Sequence, residues 1–276
     1  MHLFIDIGGT NTRLTVSEDG KSFPEPVIFP TEQNFEAALQ DLDKEIHQLI
    51  SGSITSTIVG LPGVLDQAAG SLSISPNLPQ WIDQPIIQKI KEVTDSPTSF
   101  FNDSALAGLG EAWFGAGKDY SIVTYLTIST GVGGARIVNK QIDEMTYGFE
   151  PGFQIIDASG KLCPDCHHPS SLEDLVGGAN VAKRFKCHPK DIKDQQVWDT
   201  IALWLSYGLN NVISLWSPEV IVLGGPMMRD IPIDKVREYT EKLAVFVPQI
   251  PDIKAAKHEK DKAFYGALAL LDTTNN

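Results

Sequence analysis

The sequence predicts an α/β protein built from two lobes. Two observations indicate this class: apolar runs typical of buried strands alternate with helical patterns, and a strand pair around a glycine turn opens the chain and recurs after residue 118. With 276 residues, of which 42% are hydrophobic and 21% charged, the chain is long enough for two cores. We expect an N-terminal lobe over residues 1–117 and a C-terminal lobe over residues 118–261, with the last helix, about 262–276, packing on the first lobe.

The first lobe opens with three strand patterns joined by short turns: "LFIDIG", "TRLTVSED" and "FPEPVIF". Short connections favour an antiparallel meander. Asn34 is a plausible N-cap, and apolar residues recur at helical spacing from there to Leu49. The strand "STIVGLP", a helix over 85–93, the strand "TSFFND" and a helix over 105–114 follow, as in an α/β sheet.

The second lobe begins after the glycine-rich stretch "GAGKDY" with two strands, "SIVTYLTISTGVGGARIVNKQI", around a glycine turn. A long helix over 197–216 then presents one apolar face, formed by Val197, Ile201, Trp204, Gly208, Val212 and Leu215. The remaining pattern predicts the strand "EVIVLGG", a helix over 234–246, the strand "DIKAAKH" and a helix over 263–271.

Composition excludes several classes of function. A net charge of −13 and a pI near 4.8 disfavour nucleic acid and acidic membrane surfaces as partners. No apolar run approaches the roughly 20 residues that a membrane span needs. Three cysteines are too few for a disulfide scaffold, and the start "MHLFIDIGG" shows no export signal, so we expect a cytoplasmic protein.

Two glycine turns have the composition of phosphate-binding loops. In "DIGGTNTRL", Asp6 ends a strand, and the first glycine turn follows it with Gly8, Gly9, Thr10 and Asn11. Glycines let the backbone approach a phosphate, and a carboxylate at the strand end can hold Mg²⁺ through water. The second glycine turn, residues 129–134 in "ISTGVGG", repeats the construction. Either turn alone is better explained as a hairpin connection, but two of them at the starts of two lobes favour a nucleotide site.

Asp103 in "FFNDSALAGLGE" lies where a strand ends and a helix begins. One interpretation is a helix N-cap, worth about 1 kcal/mol. The other is a general base, because phosphoryl transfer needs a carboxylate that accepts the proton of the attacking hydroxyl. Strand ends that face a cleft are where such a group lies.

The ordered motifs resemble the ROK family (repressors, open reading frames and sugar kinases), in particular its glucokinase and hexosamine kinase branch. The motifs are "DIGGTNTRL", "VGLPGVLDQAAGSLSISPNLPQW", "FFNDSALAGLGE", "STGVGG", "YGFEPGFQIID", "SLEDLVGG" and "PEVIVLGGP". The resemblance covers nearly the whole chain. It implies an actin-like ATPase fold (hexokinase-like, ribonuclease H-like), with ATP, Mg²⁺ and a sugar in a cleft between two lobes, and a homodimer.

The resemblance also implies the roles of individual residues. On the nucleotide side it implies Asp6, Gly8, Gly9, Thr10, Asn11, Thr130, Gly131, Gly133, Gly134, Gly224 and Gly225, with help from Gly266. On the sugar side it implies Asn77, Asn102, Asp103, Glu150 and Glu173. The implied reaction transfers the γ-phosphate of ATP to the 6-hydroxyl of glucose or a related hexose, with Asp103 as the base.

The segment "KLCPDCHHPSSLED" departs from the family's zinc motif. Aligned on Glu173, it has Pro164 and Ser171 where the family has cysteines, and only Cys166 is in register. A rearranged zinc site could use Cys163, Cys166 and His167 or His168, with Cys187 or His188. The alternative is a reduced loop without metal.

Phe153 stands where the family has a histidine that touches both zinc and sugar. It leaves N-acetylmannosamine, N-acetylglucosamine and fructose open as alternatives to glucose, and also a non-catalytic sugar binder. A sugar-sensing regulator is the other alternative. Such proteins carry a DNA-binding domain before the first glycine turn, and because that turn begins already at Asp6 in this sequence, we expect no such domain. The presence of Asp6, Asp103 and both glycine turns favours a kinase.

Overall fold

The computed structural model describes residues 1–166, 168–258 and 260–273, and the chain divides into two compact units. Unit 1 comprises Met1–Gly110, Met145–Gly148 and the segment from Lys260 onwards. Unit 2 comprises Glu111–Glu144 and Phe149–Glu259. Each unit contains a five-stranded mixed sheet with helices, so the predicted α/β class is confirmed.

The sheet of unit 1 combines an antiparallel meander with two parallel strands. The strands of the sheet are β1 (His2–Ile7), β2 (Asn11–Ser17), β3 (Val27–Pro30), β4 (Ser56–Leu61) and β7 (Thr98–Asn102). The strands β5 (Val64–Asp66) and β6 (Ser71–Ile74) form a separate antiparallel hairpin. The order in the sheet is β3-β2-β1-β4-β7. The strands β1 to β3 pair antiparallel, as predicted, whereas β4 and β7 run parallel to β1.

The helices of unit 1 begin where the sequence offers caps. They are α1 (Phe35–Leu49), α2 (Ile86–Thr94), the first part of α3 (Asp103–Phe114) and the C-terminal α8 (Lys262–Thr273). The Asn34 side chain accepts a hydrogen bond from the Ala37 N–H at 3.0 Å, which confirms the predicted N-cap of α1. Helices α3 and α8 approach closely, because a Cβ on Gly266 would overlap the Leu106 carbonyl.

Unit 2 repeats the arrangement of an antiparallel hairpin beside parallel strands. Its strands are β8 (Ile122–Ile128), β9 (Val132–Val138), β10 (Gln141–Ile142), β11 (Ile155–Asp157), β12 (Ser170–Ser171), β13 (Val220–Gly224) and β14 (Asp252–Ala255). The main sheet has the order β10-β9-β8-β13-β14, in which β8 and β9 are antiparallel and β13 is parallel to β8. The short strands β11 and β12 form a separate antiparallel pair.

The helices of unit 2 are α4 (Leu172–Val176), α5 (Gly178–Phe185), α6 (Gln195–Trp216) and α7 (Ile233–Leu243). The predicted apolar face of α6 is wrong at its end, since Leu215 is 78% exposed. Eighteen residues are five helical turns, so Leu215 points in the direction of Val197, which is itself only half-buried. Helix α7 ends before the predicted Phe246, which is exposed.

The core of each unit lies between its sheet and its helices. In unit 1 it includes Leu3, Ile5, Leu14 and Leu39, and in unit 2 Leu126, Leu205 and Val222 are fully or almost fully buried. Within the described ranges, no helix has the length and apolar character to cross a membrane.

Candidate active site

Two carboxylates of unit 1 lie at neighbouring strand ends. Asp6 near the end of β1 is in register with Gly60 of β4, and Asp103 directly follows β7. A Cβ on Gly60 would lie 3.5 Å from Asp6 Oδ1 and 3.8 Å from the Asp103 Cα. The glycine therefore leaves room between the two acids, at the carboxyl ends of the parallel strands β1, β4 and β7, where ligands commonly bind.

The electrostatics of this pair are unusual for surface acids. Burial, and next the negative charge of Asp103, raise the pKa of Asp6 to about 6, against the positive charges of Arg13 and Lys262. Burial also raises the pKa of Asp103, while Lys262 and hydrogen bonds from Ser104 oppose the shift. Perturbed carboxyl groups of this kind cluster at functional sites.

The sequence left open whether Asp103 is a helix cap or a general base, and the hydrogen bonds show that Asn102 occupies the cap position of α3. The Asn102 Oδ1 accepts from the N–H groups of Ser104 (2.9 Å) and Ala105 (3.2 Å), which is an N-cap pattern, and its Nδ2 donates to the Gly63 carbonyl (3.1 Å). The Asp103 Oδ1 accepts two hydrogen bonds from Ser104, one from its N–H at 2.6 Å and one from its hydroxyl at 3.2 Å. Asn102 thus makes the main cap of α3, and only its second amide N–H could serve a sugar.

The first glycine turn is exposed at Thr10 and Asn11 and closed by a hydrogen bond from the Gly8 N–H to the Asn11 carbonyl (3.0 Å). A Cβ on Gly9 would lie 2.6 Å from the Cβ of Asn77, so only glycine fits there. The Gln33 amide donates to the carbonyls of Gly9 (3.4 Å) and Asn77 (3.3 Å). The structure therefore brings Asn77, a predicted sugar ligand, to the first glycine turn.

In unit 2, Glu173 contacts the second glycine turn. Its Oε2 accepts from the Val132 N–H at 2.8 Å, and a Cβ on Gly131 would overlap its carboxylate. The Gly178 and Ala179 N–H groups at the start of α5 donate to carbonyls of the same turn at 2.7 and 2.9 Å. Sequence spacing gave no sign of the bond between Glu173 and the Val132 amide, because the two residues are distant in the chain.

Glu150 also lies beside the second glycine turn. It precedes the short 3₁₀ turn Pro151–Phe153, and a Cβ on Gly134 would lie 2.7 Å from Pro151 Cγ. Phe153 is 55% exposed, so the residue that replaces the family's histidine presents its ring to solvent. The remaining glycine of this turn, Gly133, lies within β9 and is half-buried.

Gly224 and Gly225 end β13 and have local structural reasons to be glycine. Gly225 has φ of +94°, and its Cβ would overlap the Ile128 carbonyl. A Cβ on Gly224 would lie 2.7 Å from Tyr125 Oη. The close packing of α8 on α3 explains why residue 266 is glycine. The role of Gly224, Gly225 and Gly266 in binding adenosine therefore stays a prediction.

The cysteine segment differs from both sequence expectations. Cys163 and Cys166 form a disulfide, and disulfide sulfurs are not the thiolates that bind zinc. Cys187 is free and exposed. Among the residues described, no three His, Cys, Asp or Glu side chains are grouped to hold a metal. Because Cys163 and Cys166 are joined in a disulfide, the structure does not support them as zinc ligands. The third expected ligand, His167, lies outside the described residues.

Comparison with known proteins agrees with this architecture. A glucokinase from Thermotoga maritima is 25% identical over 260 residues, which are 82% of this chain and 81% of that protein. A ROK hexokinase from Thermus thermophilus matches with a TM-score of 0.80 and 24% identity, covering 99% of both chains. A ROK family glucokinase from Streptomyces griseus, solved with glucose and AMPPNP, has a TM-score of 0.80 and 20% identity, also covering 99% of both. These likenesses confirm the predicted actin-like fold. The ROK family model matches residues 2–274, and the chain therefore belongs to the ROK family.

Proposed function

We propose that this protein is a sugar kinase that transfers the γ-phosphate of ATP to the 6-hydroxyl of glucose or a related hexose. The observation that carries the proposal is the pair Asp6 and Asp103, two carboxylates of raised pKa at adjacent strand ends. Burying two acids near each other costs folding free energy, and a functional site is a common reason to retain such an arrangement. The glucokinase named among the relatives supports the same activity.

Asp103 is the proposed general base. It accepts the proton of the 6-hydroxyl as that oxygen attacks the γ-phosphorus. A raised pKa suits this role, because a base works best when its pKa approaches the working pH while most of it is still ionised. The hydrogen bonds from Ser104 hold one carboxylate oxygen and so fix the direction of the other.

The two glycine turns are the proposed phosphate sites. Their backbone N–H groups and the exposed hydroxyl of Thr10 can donate to phosphate oxygens. Asp6 is a hard oxygen donor of the kind that Mg²⁺ uses, and a cation beside it would relieve the charge that burial disfavours. Asp6 would hold Mg²⁺ through water, and the ion would offset part of the negative charge of the triphosphate.

Glu150 and Glu173 are the proposed ligands of hydroxyls on the far side of the sugar ring, with Asn77 as a further ligand. Hydrogen bonds to a charged carboxylate are worth about 1.5–3 kcal/mol each. Because Glu173 Oε2 is occupied by the Val132 N–H, Oε1 is the atom that we expect to accept a hydroxyl. The exposed ring of Phe153 would favour a sugar with an apolar substituent, such as an N-acetyl group, or glucose held without the usual histidine contact.

A coupled ADP-release assay tests the proposal. The protein is supplied with ATP, Mg²⁺ and a panel of glucose, fructose, mannose, N-acetylmannosamine and N-acetylglucosamine, with EDTA in a parallel series. We expect sugar-dependent ADP release on one hexose and its loss in EDTA. ADP release that no sugar increases would overturn the proposal.

A second candidate is a sugar-binding ROK protein that is non-catalytic or regulatory, favoured by the phenylalanine at position 153. Calorimetric sugar binding without turnover would identify it, and the variant Phe153→His would then be the first to assay. For the kinase we further propose a homodimer that acts in the cytoplasm on carbohydrate entering glycolysis. Light scattering of the purified protein tests the dimer.

A further inference from the structure

The Cys163–Cys166 disulfide lies in a tightly bonded hairpin of unit 2. We define the cysteine hairpin as the described residues 155–166 and 168–171, in which β11 and β12 pair at the base. The Asp157 carboxylate accepts from the N–H groups of Lys161 (3.1 Å), Leu162 (2.8 Å) and Cys163 (3.3 Å). The Cys166 N–H donates to the Cys163 carbonyl at 3.0 Å. The first cysteine is therefore fixed by the base of the hairpin.

The two cysteines differ in accessibility. Cys163 is 5% exposed and belongs to the hydrophobic core of unit 2, together with Leu172 and Val176. Cys166 is half-buried and follows Pro164 and Asp165, which are both exposed. Cys166 is therefore the more accessible of the two cysteines to a reagent in solution, although it also packs in part against the core.

The cysteine hairpin leads directly into the helix that carries Glu173. Ser171 and Asp174 form a reciprocal capping box, with Ser171 N–H to Asp174 Oδ2 at 2.9 Å and Asp174 N–H to Ser171 Oγ at 3.2 Å. The Leu172 N–H donates to the Gln154 carbonyl at 2.9 Å. Since Glu173 bonds the Val132 N–H, contacts run without a break from the hairpin through α4 to the second glycine turn.

We propose that Cys163 and Cys166 form a reversible thiol–disulfide site whose oxidation state sets how firmly Glu173 is held at the second glycine turn. The C-x-x-C spacing is that of dithiol redox motifs. The effect on sugar binding rests on the proposed function, whereas the exchange chemistry and the loosening of α4 are independent of that function.

The chemistry balances with a dithiol reductant. One reductant thiolate attacks the Cys166 sulfur, the bond between the two cysteines breaks, and Cys163 leaves as a thiolate that takes up a proton. The second reductant thiol, as its thiolate, then attacks the mixed disulfide, and Cys166 leaves and takes up a proton. Two electrons and two protons pass to the protein, and the reductant becomes a cyclic disulfide. Glutathione disulfide reverses the reaction by the same exchange.

Reduction must change the hairpin because two thiols cannot remain at bonding distance. Unbonded sulfurs separate to van der Waals contact, and the close-packed core around Cys163 leaves little room for that sulfur to move. Cys166 is only partly buried against this core, so the displacement falls on Cys166 and reaches Ser170 and Ser171, which follow it in the chain. It weakens the capping box at the start of α4 and, through α4, the bond from Glu173 to the second glycine turn.

Hydrogen exchange on the whole protein tests the proposal. One sample is oxidised with glutathione disulfide and one reduced with dithiothreitol, both in EDTA so that metal binding to free thiols plays no part. We expect amides of residues 129–134 and 172–176 to exchange about tenfold faster after reduction, with amides of α1 unchanged. Equal exchange in both samples would overturn the proposal, and so would a pair that resists reduction when thiols are counted by alkylation and mass analysis.

Variants and kinetics complete the test. Cys187→Ser is the matched control, because it removes the exposed cysteine and should keep the full redox response. The double variant Cys163→Ser/Cys166→Ser should show the reduced exchange pattern in both buffers, and the wild-type comparison decides the matter if that variant does not fold. In a turnover assay, reduction should raise the sugar KM several-fold more than it lowers kcat. An absence of turnover in both states would remove the proposed function, whereas the exchange result would still decide the redox site.

Discussion

Asp6 should weaken the folded protein at neutral pH, and the substitution Asp6→Asn should therefore stabilise it while removing activity. In the folded state, burial raises the pKa of Asp6 from 3.8 to about 6. Asparagine has nearly the same size and carries no charge. The variant thus keeps the packing near Gly60 and removes the cost of ionising this half-buried, poorly solvated acid.

The magnitude and its sign follow from proton linkage. Between pH 3.8 and about 6 the folded protein holds a proton on Asp6 that the unfolded chain has released, so the free energy of unfolding falls as pH rises. The rise of the Asp6 pKa from 3.8 to about 6 lowers the free energy of unfolding by about 3 kcal/mol above pH 7, because a tenfold change in an equilibrium constant is about 1.4 kcal/mol. Solvent screening of this partly exposed carboxyl lowers the figure, so we expect a gain of about 1–3 kcal/mol at pH 8 and much less at pH 4.

Native-state hydrogen exchange is the suitable assay because a chain of two units need not unfold in one step. Protection of β1 and β2 is compared between wild type and Asp6→Asn at pH 5 and pH 8 in EDTA, with β8 and β13 of unit 2 as internal reference. We expect greater protection of unit 1 in the variant, more so at pH 8. Equal or lower protection at pH 8 would show that Arg13 and Lys262 more than offset the cost of burial, and would refute the reasoning.

Three further predictions concern the base, a buried acid and a glycine. Because Asp103 must be ionised to accept a proton and burial raises its pKa, kcat/KM should fall as the pH is lowered from neutral into the acid range, and a kcat/KM that stays constant over that change would contradict this. Glu111 is fully buried and its carboxylate accepts hydrogen bonds from three backbone N–H groups, so Glu111→Gln should cost about 1–3 kcal/mol of stability and lower the Tm measured by calorimetry. An unchanged Tm would argue against a structural role of Glu111. A methyl group on Gly131 would displace Glu173, so Gly131→Ala should raise the sugar KM at least tenfold. The control is Gly52→Ala, whose added Cβ would make only an ordinary contact of 3.7 Å with Met1 Cε and should leave KM unchanged. Equal KM values for the two variants would be contrary evidence.

Local patterns in the sequence predicted most of the fold. The helix after Asn34 and the strand containing Asp6 were correct because their apolar periodicity and caps are local signals. The pairs β5–β6 and β11–β12 were missed, since strands of two to four residues are too short to show a period. The exposed Leu215 was misplaced because sequence alone does not say where the buried stripe of a long helix ends.

The candidate site was predictable where its residues lie at strand ends. Asp6 and Asp103 could be named from the order of strands and turns, and the structure places both beside Gly60. That Asn102 makes the main cap of α3 could not be predicted, because both Asn102 and Asp103 have side chains that can cap a helix and only the backbone geometry decides between them. Contacts across long chain separations, such as Glu173 with the second glycine turn, have no local signal.

The account depends most directly on Asp103 as the base of a sugar kinase. The decisive measurement compares Asp103→Asn with wild type and with the exposed control Asp95→Asn, using ADP release for turnover and calorimetry for sugar binding. We predict a loss of about 10²- to 10⁴-fold in kcat for Asp103→Asn, little change in sugar affinity, and wild-type turnover in the control. Turnover of Asp103→Asn at the wild-type rate would contradict the account.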